Sequence, residues 1–175
     1  MDQPAPPRSR RRAVIIVLAV LVVAIAALLV YTLGVFDDKG RFRSEPPACA
    51  TLEPSLPALA ATYVPKQDGK NNCGLWLPET DPAYVKAPKI TVAYAVLTPG
   101  RGDAPAAASK KLQEFAPLGF TALPGVGEEA YVWNTNLYFR VSNLLVGITV
   151  YPNPASSQSA VHAFAKDLAG RLTTS

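Results

Sequence analysis

The sequence predicts an α+β domain, an antiparallel sheet with helices mainly on one face, preceded by one transmembrane helix. Three features lead there. An unbroken apolar run fills residues 13–30. The strand-like segments "EAYVW", "LYFRV" and "LLVGITVY" follow one another across connectors of two or three residues. Two stretches, after Asp103 and after Pro154, carry apolar residues at helical spacing.

Residues 13–36 are the membrane segment. Every residue from Ala13 to Val30 is Ala, Val, Ile or Leu, and a helix rising about 1.5 Å per residue crosses a hydrocarbon core about 30 Å thick in roughly 20 residues. A cleaved secretion signal is the competing reading, since Arg8, Arg10, Arg11 and Arg12 precede the run and Ala24, Ile25 and Ala26 resemble a cleavage site. Such signals have shorter apolar regions, which favours an uncleaved anchor. A lipoprotein signal fits less well, because Cys49 lies far beyond the run. Residues 1–12 hold four Arg against one Asp, so this basic tail is expected in the cytoplasm and the C-terminal domain outside it. The formal charge of +4 divides into +3 in residues 1–12, +1 in residues 37–44 and zero in residues 45–175. Basicity therefore marks topology and leaves no footprint for nucleic acid.

Residues 37–47, "DDKGRFRSEPP", lack any apolar period and read as a linker. Residues 48–175 are enough for one core and too few for two ordinary domains. Their only cysteines are Cys49 and Cys73. An exported domain folds in an oxidising compartment, so one disulfide is expected rather than two free buried thiols, stabilising by roughly 3 kcal/mol.

Leu52, Leu56, Leu59, Ala60 and Tyr63 recur at helical spacing, and Pro54 and Pro57 confine a first helix to about residues 55–62. "KQDGKNN" is a turn, after which "CGLWLPE" reads as a brief strand returning Cys73 to the start of that helix. "KITVAYAVL" alternates Val92, Tyr94 and Val96 against Ala93, Ala95 and Leu97, the period of a strand. "TPGRGD" breaks the chain, and Asp103 is placed to cap a helix with Ala104, Ala108, Leu112 and Phe115 along one stripe. The three strands of the meander follow, joined by "NTN" and "SN". Asn153 and Pro154 are the expected cap and first residue of a last helix, whose buried stripe is Val161, Phe164, Ala165, Leu168 and Leu172.

Few residues suggest chemistry. In "LPGVGEEAYVW", Gly125, Gly127 and Ala130 have the spacing of a dinucleotide fingerprint, but that motif requires a strand before it and a helix after it. Here strand-forming aromatics follow, so the glycines read as a turn. Glu128 and Glu129 would point to opposite faces of a strand and so fail to converge on one substrate atom. His162 is the only histidine and has no companions at ligand spacing. No metal or cofactor is expected. Tyr131, Trp133, Tyr138 and Phe139 suit cross-strand packing. If one face of the meander lacks a helix, Tyr131, Trp133, Tyr138 and Arg140 would instead line a shallow binding surface.

Cys49 at a helix start, "CGLW", "GVGEEAYV", "LLVGITV" and the closing helix together resemble an actinobacterial family of cell-envelope domains of unknown function, many of them lipoproteins. The resemblance spans residues 48–172. It implies an α+β domain, a disulfide between Cys49 and Cys73 and the glycine turn, and it supplies no catalytic residues. The membrane helix is a departure from lipid attachment. The layout is more loosely similar to extracytoplasmic sensor domains of bacterial Ser/Thr kinases. The expected function is a non-catalytic, membrane-anchored domain that binds a protein partner or an amphipathic ligand at the cell envelope. The alternatives are an envelope enzyme using Glu128 or Glu129, or a membrane assembly factor.

Overall fold

In the computed structural model, residues 8–34, 37–100, 102–152 and 154–174 are described. They form two compact units, one ending at Asp37 and the other spanning Asp38–Ser175. The first is built on helix α1 (Arg8–Thr32). Its window Ile15–Thr32 has a mean hydropathy of 3.0 and no buried residue. By length and composition it can cross a membrane, as an anchor or as a signal sequence. The helix starts and ends earlier than the expected 13–36. The arginines before Ala13 are good helix formers and extend it. Gly34, with φ of +62°, turns the chain out of it. Residues 1–7 of the expected tail and residues 35–36 lie outside the described residues.

The second unit is a seven-stranded, wholly antiparallel sheet in the order β1-β2-β3-β7-β6-β5-β4. The strands are β1 (Val64–Gln67), β2 (Asn72–Trp76), β3 (Lys89–Val96), β4 (Thr121–Ala122), β5 (Glu129–Trp133), β6 (Asn136–Val141) and β7 (Leu144–Tyr151). Two meanders thus meet where β3 pairs with β7 along eight residues, Lys89↔Tyr151 to Val96↔Leu144. Alternation does the rest: Ile90, Val92 and Tyr94 face the same core as Val146, Ile148, Val150, Leu137 and Phe139. That face is covered by α2 (Ala48–Leu52), the 3-10 helix Glu53–Leu59 and α4 (Gln158–Thr174). Val161, Phe164, Ala165, Leu168 and Leu172 are all buried there, joined by Ala169. Helix α3 (Ala104–Gln113) lies on the opposite face, over β5, β6 and β7. Asp103 caps it, accepting from the Ala106 N–H at 2.7 Å.

Several expected boundaries move. The first helix begins at Ala48, and Pro54 with Pro57 tightens its continuation into a 3-10 helix that stops at Ala60, left-handed at φ of 55°. "KQDGKNN" joins two strands, so β1 exists where none was expected, with Pro65 on the sheet's edge. β4 is a second addition, only two residues long. Pro154 is extended, at ψ of 135°, and precedes a 3-10 turn, Ala155–Ser157, before α4. The cap expected at Asn153 lies outside the described residues.

The largest correction concerns residues 37–47. From Asp38 they are part of the folded unit. Asn143, fully buried in the β6–β7 turn, accepts from the Phe42 N–H at 2.9 Å and donates to the Phe42 carbonyl at 2.9 Å. Gly40 permits this approach, because a Cβ there would overlap the Asn143 amide. The Arg41 guanidinium donates to the Leu172 and Thr173 carbonyls at the C-terminal end of α4, where a helix end favours a cation. The Ala104 N–H, at the start of α3, donates to the Asp38 carbonyl at 2.8 Å. What reads as a linker is a strap.

Cys49 and Cys73 form the disulfide, closing a sequence separation of 24 with Cα atoms 5.1 Å apart. Neither thiol of the full chain should label without reductant. Reduction should lower the melting temperature by roughly 10 °C, the equivalent of about 3 kcal/mol for a domain of this size; an unchanged melting curve would show that the bridge contributes nothing.

Candidate functional site

The glycine segment is a turn seated against β6. Gly125 and Gly127 have φ of +83° and +59°, and Val126 between them is buried. A Cβ at Gly127 would lie 2.5 Å from the Arg140 carbonyl oxygen, whereas one at Gly125 would meet open space. The Glu128 N–H donates to that same carbonyl at 3.0 Å. No helix follows to receive a phosphate: the next element is β5.

Strand β5 begins at Glu129, so the alternation argument does not reach Glu128, which still belongs to the turn. The two carboxylates consequently converge, and they do so on Arg140. Its guanidinium donates to Glu129 at 3.1 Å and to Glu128. Glu128 also accepts from the Ser142 N–H at 2.8 Å. Glu129 accepts from the Ser109 hydroxyl and from Gln113 at 3.3 Å, both on α3. Partial burial pushes the Glu129 carboxyl upward, and the hydrogen bonds from Ser109, Arg140 and Gln113 outweigh it, leaving the group below its ordinary value. Arg140 is therefore paired with both carboxylates within its own domain. The network ties α3 to β5, to β6 and to the turn that holds the strap.

The aromatic residues divide by face. Phe139 is in the core, while Tyr138, directly opposite Tyr131, lies on the α3 side. Tyr138 stacks on Phe115 at 4.2 Å and 14°, and its ring covers Gly147. Phe120 completes the cluster, 5.6 Å from Tyr138 and 6.0 Å from Trp133. Trp133 remains 52 % exposed at the rim. Of the four residues expected to form a surface, Tyr138 and Arg140 are engaged in packing and pairing, and Tyr131 is half-buried between Tyr138 and Ala122.

A second cluster lies at the other end of the sheet. An open groove of about 520 Å³ is bordered by Val64 and Lys66 of β1, Trp76 of β2, and Glu79 and Tyr84 of the following segment. Trp76 and Gly74 share a face of β2, and the indole lies where a side chain on Gly74 would be. Tyr84 is held by consecutive turns: Asp81 accepts from the Ala83 N–H at 2.8 Å, and the Tyr84 N–H donates to the Asp81 carbonyl at 2.9 Å. The Tyr63 hydroxyl fastens the end of the segment through the Pro88 carbonyl at 3.1 Å. In contrast to Arg140 and its glutamates, the side chains of Lys66, Asp68 and Glu79 have no hydrogen-bond or ion-pair partner among the described residues. Leu77, beyond Trp76, also lines an apolar cleft of about 280 Å³ between the 3-10 helix and α4, with Leu59, Ile90 and Val161. "GLW" and the lone Tyr84 were the sequence signals for this groove, and nothing in periodicity joins them.

His162 has a buried, unpartnered Nε2, and burial holds the ring below its ordinary value. Among the described residues, no cluster of His, Cys, Asp or Glu could hold a metal.

Two outcomes follow from the turn and the network. Gly127→Ala should destabilise by more than about 2 kcal/mol, combining a left-handed backbone with a clash, and Gly125→Ala by about 1 kcal/mol; equal effects in thermal melts would remove the close approach from the account. A carboxyl held below its ordinary value stabilises the fold above that value. Glu129 should thus support stability fully above its ordinary 4.5 and lose this contribution as pH falls through its lower folded value. Glu129→Gln should flatten the decline in melting temperature below that pH, and an unaltered slope would exclude Glu129 as its source. Comparison with protein-family profiles, with curated proteins and with solved structures found no match.

Proposed function

We propose that this chain is a single-pass membrane protein with a cytoplasmic N-terminus, whose extracytoplasmic domain binds a protein partner or an amphipathic ligand at the cell envelope without catalysis. Kinship with the actinobacterial envelope domains belongs to the same reading. Three features support the location: the apolar helix, the arginines at its start and the disulfide. One observation carries the binding: the groove at β1 and β2 combines two aromatic rings with charged side chains that the fold itself does not use. Glu128 and Glu129 are already engaged, sharing Arg140, with Glu128 also held by the Ser142 N–H and Glu129 fastened to α3. An amphipathic molecule would find polar contacts in the groove and apolar ones in the cleft that shares Leu77 with it.

A photoreactive residue at Val85, 90 % exposed and next to Tyr84, tests this in the full chain within native membranes. It should give a discrete adduct that disappears in Trp76→Ala and does not form when the probe sits at Lys110 on α3. Protease added outside spheroplasts should digest the adduct-bearing domain. Identical labelling from both positions would remove the binding reading, and full protection from protease would reverse the orientation.

A further inference from the structure

The groove's charges and rings constrain what it can take. Lys66, Gln67, Asp68 and Glu79 give its rim both hydrogen-bond donors and acceptors. An acyl chain needs an enclosed apolar channel, whereas this groove is open and bordered by charged and amide groups. A ligand with many hydroxyls and a hydrocarbon face, the chemistry of a pyranose, matches both that rim and the two rings. Its axial C–H groups carry partial positive charge and meet the negative face of an aromatic ring, while its hydroxyls both donate and accept.

Trp76 is built as such a platform. Because Gly74 has no side chain, the indole settles on the backbone of β2, and the sheet supports it from beneath. The support is rigid on both sides, since Gly74 pairs with Lys66 on β1 and with Thr91 on β3, and the neighbouring Cys73 is tied to α2 by the disulfide. Tyr84 supplies the second ring from a segment already folded by its own turns. Little ordering is left to be done on binding, and that lowers its cost.

We propose that this groove is a saccharide-binding site in which a sugar ring stacks on Trp76 beside Tyr84, with Lys66, Asp68 and Glu79 hydrogen-bonding its hydroxyls. The assignment rests on the binding reading above and names the class of ligand for it.

The protein contains two tryptophans, so Trp133→Phe leaves Trp76 as the sole indole reporter. The full chain carrying that substitution, held in lipid nanodiscs, is titrated with chitotetraose, mannotetraose and maltotetraose, and in parallel with choline and with dodecanoate. At least one tetrasaccharide should shift the Trp76 emission saturably, and Glu79→Gln and Tyr84→Ala should each weaken it at least about fivefold without lowering the melting temperature. Saturation-transfer NMR on the otherwise native chain provides a second reading, in which Trp76→Ala should abolish the sugar signal. A saturable response to choline or dodecanoate alone, no response to any tetrasaccharide, or a sugar signal that survives Trp76→Ala would overturn the assignment. Failure of the sugars while Val85 still yields its Trp76-dependent adduct would refute the saccharide and leave the wider binding reading standing; failure of both would end the two together.

Discussion

The side-chain amide of Asn143 is the contact on which the arrangement of the domain turns. It sits at the β6–β7 corner with no exposure to solvent, and each of its polar atoms is used. Its oxygen and nitrogen copy a strand partner for Phe42, its nitrogen also reaches the Leu97 carbonyl at 3.1 Å, and its own carbonyl accepts from the Leu97 N–H. One residue thus closes the end of β3, the corner of the second meander and the strap. A buried amide satisfied on all sides gains about 1 kcal/mol per bond, and losing any partner exposes the full desolvation cost of the group left behind. Ser142 beside it, left-handed at φ of 54°, receives Glu128 on its N–H and the Arg41 N–H on its hydroxyl.

From that corner a continuous set of polar contacts runs through Glu128, Arg140 and Glu129 to Ser109 and Gln113 on α3, and α3 returns to the strap through Ala104 and Asp38. The circuit occupies the face of the sheet that α2 and α4 leave uncovered. Within it the two carboxylates share one guanidinium, and each gains further hydrogen bonds from Ser142 or from α3. The aromatic stack of Phe115, Phe120 and Tyr138 continues the same layer with dispersion in place of charge.

Much of this fold was legible wherever a period runs long enough to be read. The apolar run of α1 is unbroken over its length, and the alternation of β3, the meander and the stripe of α4 each repeat several times, with their buried residues where the spacing requires. Short elements were not legible. β4 has two residues and β1 has four, one of them proline, and the paired prolines 54 and 57 turned an expected α-helix into a 3-10 segment. The strap was hidden for a different reason: "DDKGRFR" has one apolar residue, Phe42, and no period, and its order comes from Asn143 and from α4, 101 and 131 residues away. The groove was hidden in the same way, since Val64, Trp76 and Tyr84 converge only once β1 has folded back on β2.

The edges of the sheet carry one more consequence. An antiparallel sheet that ends in free strands is a template, and a second copy can extend it by simple backbone pairing. Here one border is a two-residue strand, and the other has a proline in place of a donor and a lysine beside it. Neither offers the run of unpaired amides that a stacking fibril needs. Copies that meet side by side must therefore recognise each other by their side chains or not at all, so the protein can be crowded without polymerising through its sheet.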